Sequence, residues 1–228
     1  MAEPITVVIN NCNLLAWPKA MVREIESFQG LAELIIVDNG STYEPLLDYY
    51  RSLQHRVIYL ENIGHTAPWT EAVKSRVKTD FYAVTDPDLD LKDTPKNCLL
   101  HLADCLRRYP QAGKIGLGLT FDEVPPESPY FFHVNNHEKR YWELPLYDGL
   151  VRQAPVDTTF AVYHKALVDE YRVCGGRTDR PYTARHIPWS LVRVDAEFQY
   201  YLEHANNSSS YKGFVQAHRR KSGAVAGS

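Results

Sequence analysis

Phe81-Tyr82-Ala83-Val84-Thr85-Asp86-Pro87-Asp88-Leu89-Asp90-Leu91 is an apolar run of β-forming residues that ends in carboxylates spaced by single residues. It reads as a buried strand whose carboxyl end delivers Asp86 and Asp88 into a cleft. Two carboxylates this close ionise together cheaply only around a cation, and hard oxygen ligands on a loop suit Mg²⁺ or Mn²⁺. A divalent ion at such a place implies a phosphate. Two plainer readings compete. A calcium loop counted from Asp86 needs Gly at its sixth position and Glu at its twelfth, and those places hold Leu91 and Asn97. Asp-Pro-Asp is also ordinary type I turn chemistry, so the rest of the chain has to decide.

Upstream, Ile5-Thr6-Val7-Val8-Ile9 is a nearly unbroken β-branched run, as in a central strand covered on both faces, and it ends at Asn10-Asn11-Cys12-Asn13. Trp17, Met21, Ile25 and Phe28 then fall at helical spacing, with Pro18 in the first turn, where a missing N–H costs nothing. Leu34-Ile35-Ile36-Val37 is a second buried strand, closed by Asp38-Asn39-Gly40-Ser41. Asp38 therefore stands at the carboxyl end of a strand, where open α/β sheets bind ligands. A helix through Leu46, Leu47 and Tyr50 leads to a third strand, Val57-Ile58-Tyr59-Leu60. The turn Glu61-Asn62-Ile63-Gly64-His65 follows, and Thr66 or Thr70 caps a helix running toward Val77. Strands alternating with helices predict a mostly parallel sheet with right-handed crossovers.

Downstream, Asp93-Thr94-Pro95 starts a helix through Leu99, Leu102, Leu106 and Tyr109. Lys114 to Phe121 reads as one strand. Its Gly113, Gly116 and Gly118 lack the order and context of a nucleotide fingerprint, so close packing explains them better. From Asp122 to Leu150 the pattern breaks into an irregular connection carrying Phe131, Phe132, His133, His137, Tyr141, Trp142 and Tyr147. Long connections of this kind are more often functional than spacers, and flat rings suit a sugar-binding wall, though they could equally pack the loop down. Pro155 to Tyr163 reads as a strand with Asp157 near its start, Arg177 to Tyr182 as a mobile loop, and Ala196 to His204 as a helix. The stretch from Ser208 onward, with its basic run His218-Arg219-Arg220-Lys221, reads as a poorly ordered tail or a linker of a longer protein.

With 228 residues, 44% hydrophobic and 23% charged, the chain has the composition of one soluble globular domain. A net charge of -3 supplies no general field for nucleic acid or anionic lipid. No apolar run reaches the roughly eighteen residues that span a bilayer, and the N-terminus lacks the basic and apolar regions of a signal peptide, which points to the cytoplasm. Cys12, Cys98, Cys105 and Cys174 form no CxxC pair and read as reduced thiols.

Strand, then Ile35-Ile36-Val37-Asp38-Asn39-Gly40-Ser41, then Asn62-Ile63-Gly64, then a buried strand into Asp86-Pro87-Asp88, resembles the nucleotide-binding half of GT-A glycosyltransferases, especially family 2 and its short bacterial and viral members. The resemblance covers about the first ninety residues. It implies an α/β fold of the GT-A kind: a Rossmann-like, mostly parallel sheet flanked by helices, with an irregular acceptor-side second half. It implies further that Asp38 faces uracil or another base, that Asp86 meets the ribose or metal, and that Asp88 holds Mn²⁺ or Mg²⁺ on the donor's diphosphate. Asn10, Asn62 and Gly64 would shape the donor pocket, and His65 would touch phosphates or sugar. A late His is a metal ligand in several such enzymes, which makes His186 a candidate third ligand beside the reading that it is simply packed.

The second half departs from the family's GG-then-ED pattern, so the general base does not transfer. Asp157 is the candidate, since a carboxylate partly buried in an apolar strand has its pKa raised toward a useful range. Glu197, Glu143 and a capping role for Asp157 remain rivals. The expected organisation is one domain over 1–210, with 1–92 binding the nucleotide sugar and 93–210 the acceptor, followed by a tail. The expected activity is metal-dependent transfer of a hexose from a UDP-type donor to a hydroxyl of a glycan or glycolipid, with inversion, within a larger glycan synthase. A sugar nucleotidyltransferase usually opens with a Gly-rich loop, whereas Asn10-Asn11-Cys12-Asn13 has no glycine; a non-catalytic binding module is the other alternative.

Overall fold

A computed structural model of the chain describes residues 3–157, 159–166, 175–205, 209 and 211. Strand β1 (Ile5–Asn11) is buried along its whole length, as its β-branched composition requires. It pairs in parallel with β2 (Ala32–Asn39) on one side and with β4 (Phe81–Thr85) on the other, and β3 (Arg56–Leu60) adds in parallel beyond β2. Helices α1 (Ala16–Glu26) and α2 (Glu44–Ser52) make the first two crossovers. A 3₁₀ turn over Gly64–Trp69 and the short α3 (Glu71–Lys74) make the third. Alternation along β1 serves two cores. Val7 and Ile9 pack with Met21, Ile25 and Phe28 of the α1 region, while Val8 faces Val73, Val77 and Val84. Each such fully buried aliphatic side chain contributes about 1.5–3 kcal/mol.

The chain winds outward from β1 to β2 and β3, then returns to β4 on the opposite side. The order β3-β2-β1-β4 therefore opens a crevice outside the carboxyl ends of β1 and β4, the place where open α/β sheets take ligands.

Beyond β4 the sheet continues through β10 (Ala161–His164), β6 (Lys114–Gly116), β11 (Gly175–Thr178), β9 (Val151–Arg152) and β8 (Leu146–Tyr147). β10 and β9 run against the others, so most strands of the large sheet still point one way. Helix α4 (Cys98–Arg108) covers this half with Leu99, Leu102 and Leu106. A small second sheet joins β5 (Leu89–Asp90), β12 (Thr183–His186) and β7 (Gly118–Thr120). Helices α5 (Phe131–Trp142) and α6 (Ala196–His204) complete the described fold.

Several expectations are corrected. Lys114 to Phe121 is two strands: β6 joins the large sheet and β7 the small one, because the chain bends at Leu117, whose N–H bonds to the Phe160 carbonyl at 3.0 Å. The irregular connection after Asp122 contains the three-turn helix α5, hidden by aromatics that do not mark one clean apolar stripe. The loop expected from Arg177 begins inside β11, and the Pro155-to-Tyr163 strand is reduced to β10. The helix expected to begin near Asp93 starts at Cys98, and the one toward Val77 is a single turn. Cys12, Cys98 and Cys105 are free thiols, and Cys174 lies outside the described residues, as does nearly all of the tail.

The glycines of the Lys114–Phe121 stretch are there for packing. A Cβ on Gly116 would stand 2.6 Å from Val156 Cγ1, and one on Gly118 would stand 2.4 Å from the Thr178 carbonyl oxygen. Backbone cannot yield as a side-chain tip can, so Gly118→Ala should destabilise the protein by about 1–3 kcal/mol, read as a lowered urea midpoint at unchanged slope.

Candidate functional site

The crevice at the carboxyl ends of β1, β2 and β4 opens into a cleft of about 770 Å³. Its donor-side wall is built from strand ends, where backbone pairing stops and side chains take over. Asn11 at the end of β1 donates to the Leu14 carbonyl at 2.8 Å and to the Tyr50 hydroxyl at 2.7 Å. Asn13 accepts from the Thr42 and Tyr43 N–H groups at 2.7 and 3.0 Å. Asn39 clamps the next turn: its carboxamide donates to the Gly64 carbonyl at 2.7 Å and accepts from the Ile63 N–H at 2.9 Å. Gly40, at φ 72°, has no room for a side chain, since its Cβ would stand 2.8 Å from the Asn62 nitrogen. Two motifs read separately in the sequence, Asp38-Asn39-Gly40 and Asn62-Ile63-Gly64, are thus one interlocked piece.

Asn10, Asn62, Gly64, His65, Asp86, Asp88, Asp157 and His186 all line this cleft. Asp38 does not. Its carboxylate is buried, with Oδ2 accepting from the Ser41 N–H at 3.3 Å and Oδ1 lacking a partner among the described residues. Burial raises its pKa against the opposing Ser41 bonds. Cys12 lines the cleft, but burial chiefly, then the nearby Asp38, pushes its thiol up to about 11, which makes it a poor nucleophile.

The decisive geometry lies at Asp88. β5 follows it directly and pairs antiparallel with β12, setting Leu89 opposite His186, and the Ile187 N–H bonds to the Asp88 carbonyl at 2.9 Å. His186 Nε2 thereby stands 3.3 Å from Asp88 Oδ2, both side chains being largely enclosed. The Tyr211 hydroxyl donates to the same Oδ2 and lies 3.2 Å from His186 Nε2. Burial alone would raise the Asp88 carboxyl; the imidazole and the phenol outweigh it and hold the group below its ordinary value. Burial, then the Asp88 charge, push the Tyr211 phenol well above its own, so it stays a donor.

Asp86 lines the same cleft, and among the described residues no group of three or more His, Cys, Asp or Glu side chains is placed to hold a metal. The residues present nonetheless fit one. Asp88 Oδ1 is buried with no partner among the described residues, and the 3.3 Å between Oδ2 and Nε2 approaches the edge of about 3 Å between neighbouring donors on an octahedral ion with bonds near 2.1 Å. Two protein ligands leave the remaining positions to phosphate and water, which is the habit of Mg²⁺- and Mn²⁺-type sites.

The opposite wall comes from α5. His133, His137 and Tyr141 line the cleft from one helix face, at intervals of four residues, and the two imidazoles lie 5.5 Å apart and nearly parallel. The buried Glu138 accepts from Arg177 Nη1 at 2.5 Å and faces His137 Nδ1 at 3.2 Å. Arg177 also donates to the Pro155 carbonyl at 2.7 Å and lies over the Tyr141 ring at 4.5 Å. Sequence reasoning missed Glu138, Arg177 and Tyr211. The four-residue spacing of the α5 rings was a readable signal for the first; nothing local marked the other two.

Of the three carboxylates weighed as a base, the cleft receives Asp157 alone. Val156 is wedged against Gly116 and Gly175, and Asp157 beside it is exposed, outside β10. The expected partial burial in a strand therefore does not hold. Glu197 caps α1, accepting from the Leu15 and Ala16 N–H groups at 2.9 Å each, and Glu143 is a surface residue beside Lys139.

No family model matches the sequence, and no curated protein matches it. Among solved structures the chain is similar to the mannosyltransferase PcManGT from Pyrobaculum calidifontis in complex with GDP-Man and Mn²⁺, at 12% identity and a TM-score of 0.51 over 90% of this chain and 62% of that one. It also matches glucosyl-3-phosphoglycerate synthase from Mycobacterium tuberculosis in complex with Mn²⁺, UDP-glucose and phosphoglyceric acid, at 15% identity and a TM-score of 0.45 over 72% of this chain and 57% of that one. The chain thus spans less than two thirds of the length of either. The likeness is one of fold: a large, mostly parallel sheet flanked by helices, as in GT-A glycosyltransferases.

Two outcomes follow from the buried charges. Arg177→Met should cost about 3–5 kcal/mol by stranding Glu138, and adding Glu138→Leu should recover most of the loss in thermal unfolding. Asp38, with its folded pKa raised, keeps its proton to higher pH in the native state than in the unfolded chain, so stability falls as pH rises through that window. Asp38→Asn should therefore raise Tm at pH 7, and the gain should shrink as pH drops below the native pKa.

Proposed function

We propose that this chain is a metal-dependent glycosyltransferase that moves a hexose from a nucleoside diphosphate sugar of the UDP type to an acceptor hydroxyl of a glycan or glycolipid, with inversion. The observation that carries the reading is the meeting of Asp88 and His186 in the cleft, a carboxylate and an imidazole brought from opposite halves of the chain to a donor–donor spacing that fits Mn²⁺ or Mg²⁺. Bound there with the donor, the ion offsets the charge that the leaving diphosphate develops. The fold supports the same reading, since the crevice lies where α/β sheets bind nucleotides.

In this reading the turn clamped by Asn39 holds Asn62, Gly64 and His65 against the donor, with Asn10 and Asp86 on the strand ends beside it. Asp38 acts from behind this wall, and a base that reached its Oδ1, which has no partner among the described residues, would meet an acceptor. The rings of Tyr141 and Tyr130 and the imidazoles of His133 and His137 supply flat faces for a sugar on the acceptor side. Asp157 takes the proton of the attacking hydroxyl as that oxygen bonds to the sugar's anomeric carbon and the bond to the diphosphate oxygen breaks. One hydroxyl, one base and one leaving group give a single displacement.

Transfer and hydrolysis assays with UDP-, GDP- and dTDP-sugars in Mn²⁺ test the proposal. Turnover should depend on the ion. Asp88→Ala should lower kcat/KM by about a thousandfold or more with the thermal unfolding transition preserved, and Asp157→Asn should lower kcat by a factor on the order of 10²–10⁴ with KM for the donor little changed. Full activity in Asp88→Ala would sink the metal assignment. Binding without turnover across a survey of acceptors would instead make the chain a sugar-nucleotide-binding module.

A further inference from the structure

We propose that the Tyr211 hydroxyl is the resident of the cation subsite, and that a divalent ion reaches Asp88 and His186 only by displacing it. The inference rests on reading those two residues as the metal pair, as proposed above. The phenol touches both of the atoms the ion would use: it donates to Asp88 Oδ2 and stands 3.2 Å from His186 Nε2. An imidazole nitrogen has one lone pair or one proton in the ring plane, so Nε2 cannot serve the present network and a metal at the same time. The phenol is therefore a competitor for the site.

Its hold on that position is built. The Tyr211 ring packs 5.7 Å from the Phe198 ring and 6.1 Å from the Tyr201 ring, centroid to centroid, and Tyr201 in turn hydrogen-bonds Ser209 at 3.0 Å. Tyr211 also contacts both the α6 cluster around Leu14 and Leu202 and the α5 cluster around Val124 and Val134. It therefore ties the α6 cluster to the α5 cluster beside Asp88. Once released, the hydroxyl needs another acceptor, and a phosphate oxygen of an arriving nucleoside diphosphate is the nearest chemistry the proposed reaction offers. Metal and nucleotide should consequently bind together better than either binds alone.

The probe is Mn²⁺, titrated by calorimetry into wild type and into Tyr211→Phe, which keeps the ring and removes the hydroxyl. A hydrogen bond to a charged group is strong enough that its removal should tighten Mn²⁺ binding in the absence of nucleotide about tenfold. Adding UDP or GDP should tighten Mn²⁺ binding more in wild type than in the variant. Equal or weaker Mn²⁺ affinity in Tyr211→Phe would overturn the displacement model while leaving the metal pair standing. Tighter binding in Tyr211→Ala but not in Tyr211→Phe would also overturn it, because the ring and not the hydroxyl would then be the obstacle. Absence of Mn²⁺ binding in every form, with nucleotide present and folding verified by circular dichroism, would remove both the displacement and the metal pair beneath it.

Discussion

A carboxylate enclosed as deeply as Asp88 is stable only with partners, because an isolated charge in a low-dielectric interior costs several kcal/mol. That requirement explains much of the second half of the chain. β5 exists as two residues so that β12 can pair with it and carry His186 to Oδ2. β7 then pairs with β12 on its other edge, which forces the sequence after Gly116 out of the large sheet and into the small one. Gly118 permits the turn because its neighbour is the Thr178 backbone itself. The small sheet is thus the scaffold that brings His186 to Asp88.

The first half was legible because its signals are local. Uninterrupted β-branched runs mark strands covered on both faces, and Asp-Asn-Gly and Asn-x-Gly mark the turns at their ends. The second half resisted for a physical reason. Lys114 to Phe121 is one continuous β-forming run in sequence, yet its pieces belong to two sheets, and only the tertiary pairing of Leu117 with Phe160 decides where it breaks. The α5 helix carries Asn135, Asn136 and His137 in its middle, residues that local propensity assigns elsewhere, and it is held by the Arg177–Glu138 pair and by the Trp142 indole bond to the Leu119 carbonyl. The four-residue spacing of the α5 rings points to the helix, but the pairings that hold it cannot be read from spacing along the chain.

Asp38 and Asp157 show the same limit at the level of single residues. Both are acids next to strands, and the sequence ranks them alike as cleft residues. The fold separates them: pairing of Asn11 with Asp38 across β1 and β2 places the latter inside, whereas the wedging of Val156 between two glycines leaves Asp157 outside. A one-residue step along an extended backbone reverses the face a side chain presents, so position near a strand end fixes little until the register is known.

The two walls of the cleft differ in how they are made rigid, and that difference bears on what each can bind. On the β1–β2 side neutral carboxamides tie strand ends to turns, so the wall adds no charge of its own beyond the acids at Asp86 and Asp88. In the proposed reading, a dianionic diphosphate would meet repulsion there unless a cation came with it, so the metal would be a condition of donor binding and not an accessory to it. On the α5 side a guanidinium and a carboxylate neutralise one another behind a face of rings. A surface with its charges already paired gains little from an ionic acceptor and most from a flat, hydroxyl-bearing one, and this is the electrostatic reason why the proposed reading assigns the sugar acceptor to that wall.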